Sequence, residues 1–200
     1  CYSLEFLVKN GGDLKFTNKF GYTVLHHAVE GGNLSVTEYL VQNGADIKST
    51  TKNGETVLHH AVDGGNLSVI ERLVKNGGDI KSTNNFGETL LHSAAAAGYL
   101  PIVKYLLQHG ANPDGLDKYF CTPLTVASQM GEWDVMQALI DEGADVNADG
   151  GKALRWAIEW GGWSIVKSLV DKQASVKESV IKTNLSEFKN KFPNYVFRTE

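Results

Sequence analysis

Residues 21–53 read GYTVLHHAVEGGNLSVTEYLVQNGADIKSTTKN, and residues 54–86 read GETVLHHAVDGGNLSVIERLVKNGGDIKSTNNF. Of the 33 aligned positions, 24 are identical. Self-similarity at a fixed period of about 20–50 residues marks a repeat architecture. In such a chain one unit cannot bury its own apolar face and must stack on copies of itself.

The same register extends outward in both directions. Residues 3–15, SLEFLVKNGGDLK, shifted by 33, fall on VTEYLVQNGADIK at 36–48. Residues 1–20 therefore read as a partial repeat, with a second helix and hairpin but no first helix. More repeats are expected upstream of such a start. Repeats follow at 21–53, 54–86 and 87–119, then a degenerate one at 120–149 and a shortened one at 150–176. In the last, Leu154, Ala157, Gly161 and Leu169 align with Leu124, Ala127, Gly131 and Leu139 at a spacing of 30 rather than 33. Three residues are thus missing around Asp149-Gly150-Gly151. Residues 177–200 read as a C-terminal helical cap and tail, carrying Val180, Ile181, Leu185, Phe188 and Phe192 before Pro193 ends the helical pattern.

Within a unit, Thr23–Glu30 has a short helix pattern with Leu25, Ala28 and Val29 on one face. Gly31-Gly32-Asn33 breaks it, since glycine in a helix interior costs about 1 kcal/mol relative to alanine. Leu34–Gln42 gives a second helix, which ends at Asn43-Gly44. An extended Ser/Thr/Asn-rich connection with a turn glycine, Gly54, leads into the next unit.

Several stretches then carry a resemblance. Gly87-Glu88-Thr89-Leu90-Leu91-His92-Ser93-Ala94-Ala95 leads to Gly98, Ile102-Val103, Leu106-Leu107 and Gly110-Ala111-Asn112. Thr122-Pro123-Leu124 and Gly143-Ala144-Asp145-Val146-Asn147 complete the pattern. Residues 3–176 or so resemble the ankyrin repeat family. The resemblance implies an all-α repeat solenoid of stacked helix-turn-helix units with β-hairpin loops, elongated and slightly curved. It implies a concave face of hairpin tips and first helices that binds folded partners or extended peptides. Departures stand at Val24 and Val57, which replace a proline, and at Thr125, which replaces a histidine. Phe120 replaces the turn glycine, and the fourth hairpin is expected to be distorted by it.

Apolar residues at 42% are enough for a core, and a net charge of −4 argues against a general nucleic-acid binder. No apolar run approaches the roughly 20 residues of a membrane span. Cys1 and Cys121 have no metal-ligand spacing and lie repeats apart, so a reducing, cytoplasmic setting is expected. A nuclear location, or action as a secreted effector in a host cytosol, stands as an alternative to it. His26, His59 and His92 recur one repeat apart, too far to share a zinc ion with bonds of about 2.0–2.1 Å. In the family this histidine fixes backbone. No nucleophile, carboxylate pair or phosphate loop stands out, so no catalysis, metal, cofactor or small-molecule substrate is expected.

In the family the variable positions beside the turn and at the end of the first helix line the groove. Here they give Phe20, Tyr22 and Glu30, then Asn53, Glu55 and Asp63, then Phe86 and Glu88. The fourth unit gives Tyr119, Cys121, Gln129 and Met130, and the last gives Glu159 and Trp160. Phe86, Tyr119, Met130 and Trp160 read as apolar anchors, since aromatic residues are enriched at binding hot spots. Glu30, Asp63 and Glu88 read as selecting a basic segment of a protein or peptide partner. Trp160 has a competing role, packing on the shortened hairpin or the C-terminal segment. Trp133 and Trp163 replace Leu34 and read as core, and Trp156, at the His27 position, as packed between helices. Lys15, Lys48 and Lys81 form a hairpin edge that is either solvated or attracts an acidic partner or nucleic acid. The alternative for the whole chain is a passive spacer or oligomerisation element of a larger multidomain protein, such as a signalling protein, channel or secreted effector.

Overall fold

In a computed structural model of the chain, residues 12–181 and 183–198 are described. The expected N-terminal half-repeat at Ser3–Lys9 and the residue Cys1 lie outside the described residues. Helices come in pairs of a short first helix and a slightly longer second one. The pairs are α1 (Val24–Glu30) with α2 (Leu34–Gln42), α3 (Val57–Asp63) with α4 (Leu67–Lys75), and α5 (Leu90–Ala96) with α6 (Leu100–Gln108). Next come α7 (Pro123–Met130) with α8 (Trp133–Asp141), and α9 (Lys152–Glu159) with α10 (Trp163–Asp171). A 3-10 turn at Glu178–Val180 and α11 (Leu185–Lys191) follow.

Helices of seven to nine residues are too short to be stable alone in water. Caps and stacking hold them. Thr23 Oγ1 accepts from His26 N at 3.4 Å, while His26 Nδ1 accepts from Thr23 N at 3.1 Å, a reciprocal cap with histidine in the usual glutamate place. Asn33 and Asn66 cap the second helices through Val36 N and Val69 N. Asn66 Nδ2 also donates to Gly32 O at 3.0 Å, which ties one unit to the previous one.

The chain divides into two compact units, Cys1–Ser93 and Ala94–Glu200, and the division falls inside α5. In the first, α3 stacks on α1 and α4 on α2. In the second, α9 stacks on α7, and α10 and α6 both pack on α8. Leu25, Leu40, Leu58 and Leu73 are buried in the first unit, and Leu106, Leu124, Leu139, Leu154 and Leu169 in the second. Full burial of one such side chain contributes about 1.5–3 kcal/mol.

The connections differ from the hairpins expected. Among the described residues the antiparallel pairing is a single bridge per loop, Thr50 with Thr56 and Thr83 with Thr89. The loops are instead tight turns. Gly54 N donates to Thr51 O at 3.0 Å and Thr51 N to Glu55 O at 2.9 Å, and the turns at 18–22, 84–88 and 117–121 repeat this pair of bonds. A side-chain oxygen of Asn18, Asn84 or Asp117 accepts two further backbone N–H groups in three of the four turns. The 117–121 turn is therefore not distorted. Phe120 adopts φ 57°, the left-handed conformation that Gly21, Gly54 and Gly87 adopt at 89°, 76° and 75°.

After α10 the chain folds back on the last unit. Phe188 is fully buried, with the rings of Phe192, Tyr195 and Phe197 centred 5.0–5.7 Å away. The Tyr195 hydroxyl donates to Ala174 O and accepts from Val176 N, each at 3.0 Å. Asn184 Nδ2 donates to Ile158 O at 3.0 Å and to Glu159 O at 3.1 Å, fastening the start of α11 to the end of α9.

Candidate partner-binding surfaces

The first unit carries a polar and aromatic surface at its turns and first helices. Tyr22 stacks on His27 with ring centres 5.3 Å apart and meets the buried His60 edge-on at 4.9 Å. Phe20, Tyr22 and Asn53 line one groove of about 380 Å³ together with His27 and Lys52. Phe20 is 55% exposed. Around this groove stand carboxylates. Glu55 Oε2 lies 3.6 Å from His60 Nε2 and accepts from Thr51 Oγ1 at 3.1 Å. Glu88 accepts from Asn84 Nδ2 at 2.6 Å. Glu30 and Asp63 are exposed at equivalent ends of α1 and α3.

These acids sense one another. Desolvation raises the Asp63 pKa, and the charges of Glu55, Glu30 and Glu88 add to the rise against the opposing pull of His60. Desolvation and then Glu55, Glu30 and Asp63 push the Tyr22 phenol up. The field over this face is thus negative. Beneath it, burial pushes His26 down to about 4, and His60 lowers it further. Burial likewise lowers His59, whose Nε2 lies 3.4 Å from Glu88 O. The recurring histidines are buried structural groups tied to backbone.

The second unit presents a more apolar surface. Tyr119 is 66% exposed, Phe120 70%, Met130 59% and Trp160 62%. Met130 ends α7 and Trp160 caps α9, and these helices are stacked neighbours. The C-terminal segment bonds to the backbone of Ile158 and Glu159, next to Trp160, and leaves the Trp160 side chain mostly exposed. Gln129, Cys121 and Glu159 are half-buried. Phe86, in the first unit, is 36% exposed. Trp133 and Trp163 are only half-buried rather than core, and Trp156 is half-buried with the Arg155 guanidinium 4.7 Å over its ring.

Two residues at this surface escaped the repeat pattern. Asp149 is buried, and its carboxylate accepts from Gly151 N and Ala153 N at 2.8 Å and from Lys152 N at 3.0 Å. It also accepts from the Thr125 hydroxyl. Asp149 thereby caps α9 in place of a threonine, and Thr125 in place of histidine leaves room for it. Lys152, freed from the capping position, extends its Nζ to Tyr119 O at 2.9 Å and Phe120 O at 2.8 Å, with Cys121 Sγ at 3.8 Å. Burial first, then Asp117, pushes the Cys121 thiol up against the pull of Lys152, which makes it a poor nucleophile at neutral pH. Asp149 lies at the three-residue gap, where the earlier units offer no clear equivalent, and Lys152 stands at the place of the capping threonines Thr23, Thr56, Thr89 and Thr122.

Among the described residues no group of three or more His, Cys, Asp or Glu side chains is placed to hold a metal ion. No described helix is long and apolar enough to cross a membrane. No curated protein matches the chain. The family description "Ankyrin repeats (3 copies)" matches residues 2–84, 42–117, 62–149 and 116–179, nearly the whole chain. That family is non-catalytic, and its members generally serve as protein-interaction scaffolds. Paired helices on a 33-residue period, reciprocal threonine caps and glycine turns agree with that match, and the chain belongs to the ankyrin repeat family.

Proposed function

We propose that this chain binds a protein or extended peptide partner through the face formed by its turns and first-helix ends. One observation carries the reading. Four large apolar side chains of the second unit, Tyr119, Phe120, Met130 and Trp160, stand 59–70% exposed, and at three of these four places, all but that of Tyr119, the repeats at 21–119 hold only glycine or alanine. Exposed aromatic groups bury much area with few rotatable bonds, which suits them as anchors. The acids of the first unit, Glu30, Glu55, Asp63 and Glu88, favour a partner segment with basic residues. Phe20, Tyr22, Asn53 and Phe86 supply apolar and hydrogen-bonding contacts on that unit, and Cys121, Gln129 and Glu159 border the anchors on the other.

The test uses peptides selected against the folded chain from a random-peptide display library. Tyr119→Ala and Trp160→Ala each weaken a selected peptide by about tenfold or more, with melting temperatures unchanged. Selected sequences are enriched in Lys and Arg, and Glu30→Gln with Asp63→Asn removes that enrichment. Binding that survives both alanine substitutions rejects the assignment and leaves a passive spacer as the better account.

A further inference from the structure

In the first unit each turn is fastened to the next by one backbone bond. Lys52 N donates to Phe20 O at 2.9 Å, and Asn85 N to Asn53 O at 2.8 Å. The same place in the fourth repeat is Tyr119 O. Its fifth-repeat neighbour is the loop shortened by three residues. Here the donor is a side chain, Lys152 Nζ, which also reaches Phe120 O. Lys152 is available because Asp149 has taken over the cap of α9.

The residue so clamped is strained. Phe120 carries a Cβ at φ 57°, where every other turn of this series has glycine, and left-handed backbone is unfavourable for such a residue. Its ring is 70% exposed, so packing within the chain does little to offset the strain. Strain that persists against local preference points to a use.

We infer that Phe120 is a contact residue for the protein partner, and that Lys152 is the positioning residue that holds the Tyr119–Phe120 turn in its binding conformation. The inference rests on the reading of this face as partner-binding. The deletion, the Asp149 cap and the Lys152 clamp then form one device. Shortening the fifth loop removes a neighbouring turn, and the two carbonyls left behind are gripped by an ammonium group that a backbone amide could not replace. The Lys118 ammonium lies 5.0 Å from the Tyr119 ring centre. The exposed ring of Phe120 calls for an apolar partner side chain against this turn, in contrast to the basic segment suited to the first unit.

The experiment combines melting curves with binding of library-selected peptides. In the free chain, Phe120→Gly melts about 2–4 °C above Phe120→Ala, because both lose the ring and only alanine keeps the strain. In binding, Phe120→Gly weakens a selected peptide by about tenfold, Lys152→Met by about fivefold, and Lys152→Arg restores it to within about twofold. The Phe120 amide, which donates to Asp117 O at 3.0 Å, exchanges hydrogen faster in Lys152→Met and not in Lys152→Arg. Equal melting of the glycine and alanine variants overturns the strain. Unchanged binding in Lys152→Met, with Tyr119→Ala and Trp160→Ala still harmful, overturns the positioning role alone. Unchanged binding in all of these variants overturns the binding face itself, and the inference with it.

Discussion

Lowering the pH toward 5 should destabilise the first unit through one buried imidazole. His26 has no exposed surface, and burial pushes its pKa down to about 4. In the unfolded chain a histidine titrates near 6.5. The unfolded state therefore binds the proton more readily between those values. Stability is fully present above about pH 6.5 and is lost as the pH falls toward 4. A difference of about 2.5 units at about 1.4 kcal/mol each amounts to roughly 3 kcal/mol once the pH is below 4. At pH 5 the loss is already about 2 kcal/mol, a sizeable part of a typical 5–15 kcal/mol total. Buried His59 is shifted in the same direction and adds to it. The assay is urea unfolding of the wild-type chain and His26→Gln at pH 7 and pH 5. Ordinary carboxylates titrate alike in both proteins and cancel in the comparison. The wild type should lose about 2 kcal/mol more than the variant between the two pH values, even if the variant is the weaker protein at pH 7. Equal losses, or His26 ring resonances that titrate near pH 6.5, would refute the reasoning.

Four further substitutions probe the framework. Asp149→Ala removes the acceptor of three backbone N–H groups and a hydroxyl, and denaturant titration should show a loss of about 2–4 kcal/mol. Gly64→Ala would place its Cβ 2.6 Å from Glu30 O and 2.9 Å from Val29 O, a backbone clash costing about 1–3 kcal/mol. Gly44→Ala, with nothing within 4 Å but φ 88°, should cost nearer 1 kcal/mol in the same titration. Tyr195→Phe loses both hydroxyl bonds at the end of the last repeat and should lower stability by about 1–2 kcal/mol, with faster amide exchange at Val176.

The helices were legible because their boundaries are chemical. Thr23 and Thr56 begin first helices, Gly31-Gly32-Asn33 and Gly64-Gly65-Asn66 separate the pairs, and Asn43-Gly44 and Asn76-Gly77 end them. Leu25, Leu40 and their copies fall where stacking needs them. The loops were less legible, since a few extended residues give one bridge or a ladder depending on how far the chains run side by side. At Phe120 the local rule pointed to distortion. The turn kept its shape because Asp117 accepts from Tyr119 N and Cys121 N, and Lys152 grips the far side. Trp133 and Trp163 show the limit of register as a guide to burial. The leucines at that position, Leu34, Leu67 and Leu100, are themselves half-buried, so the place lies at the edge of the core and the indoles are half-buried like them. Asp149 and Lys152 were invisible for another reason: Asp149 falls at the three-residue gap, where a repeat comparison has nothing to align, and Lys152 shows in register only as a capping threonine lost, with nothing to say where its ammonium reaches.

The central claim is that partner contact falls on the turns and first-helix ends. Hydrogen exchange of the chain, free and saturated with a library-selected peptide, tests it most directly. The account predicts added protection at residues 117–121, at Met130 and at Trp160, with little change along α2 and α4, where Glu38 and Arg72 pair on the opposite side of the repeats. Protection confined to those second helices, with the 117–121 turn exchanging as in the free chain, would contradict it.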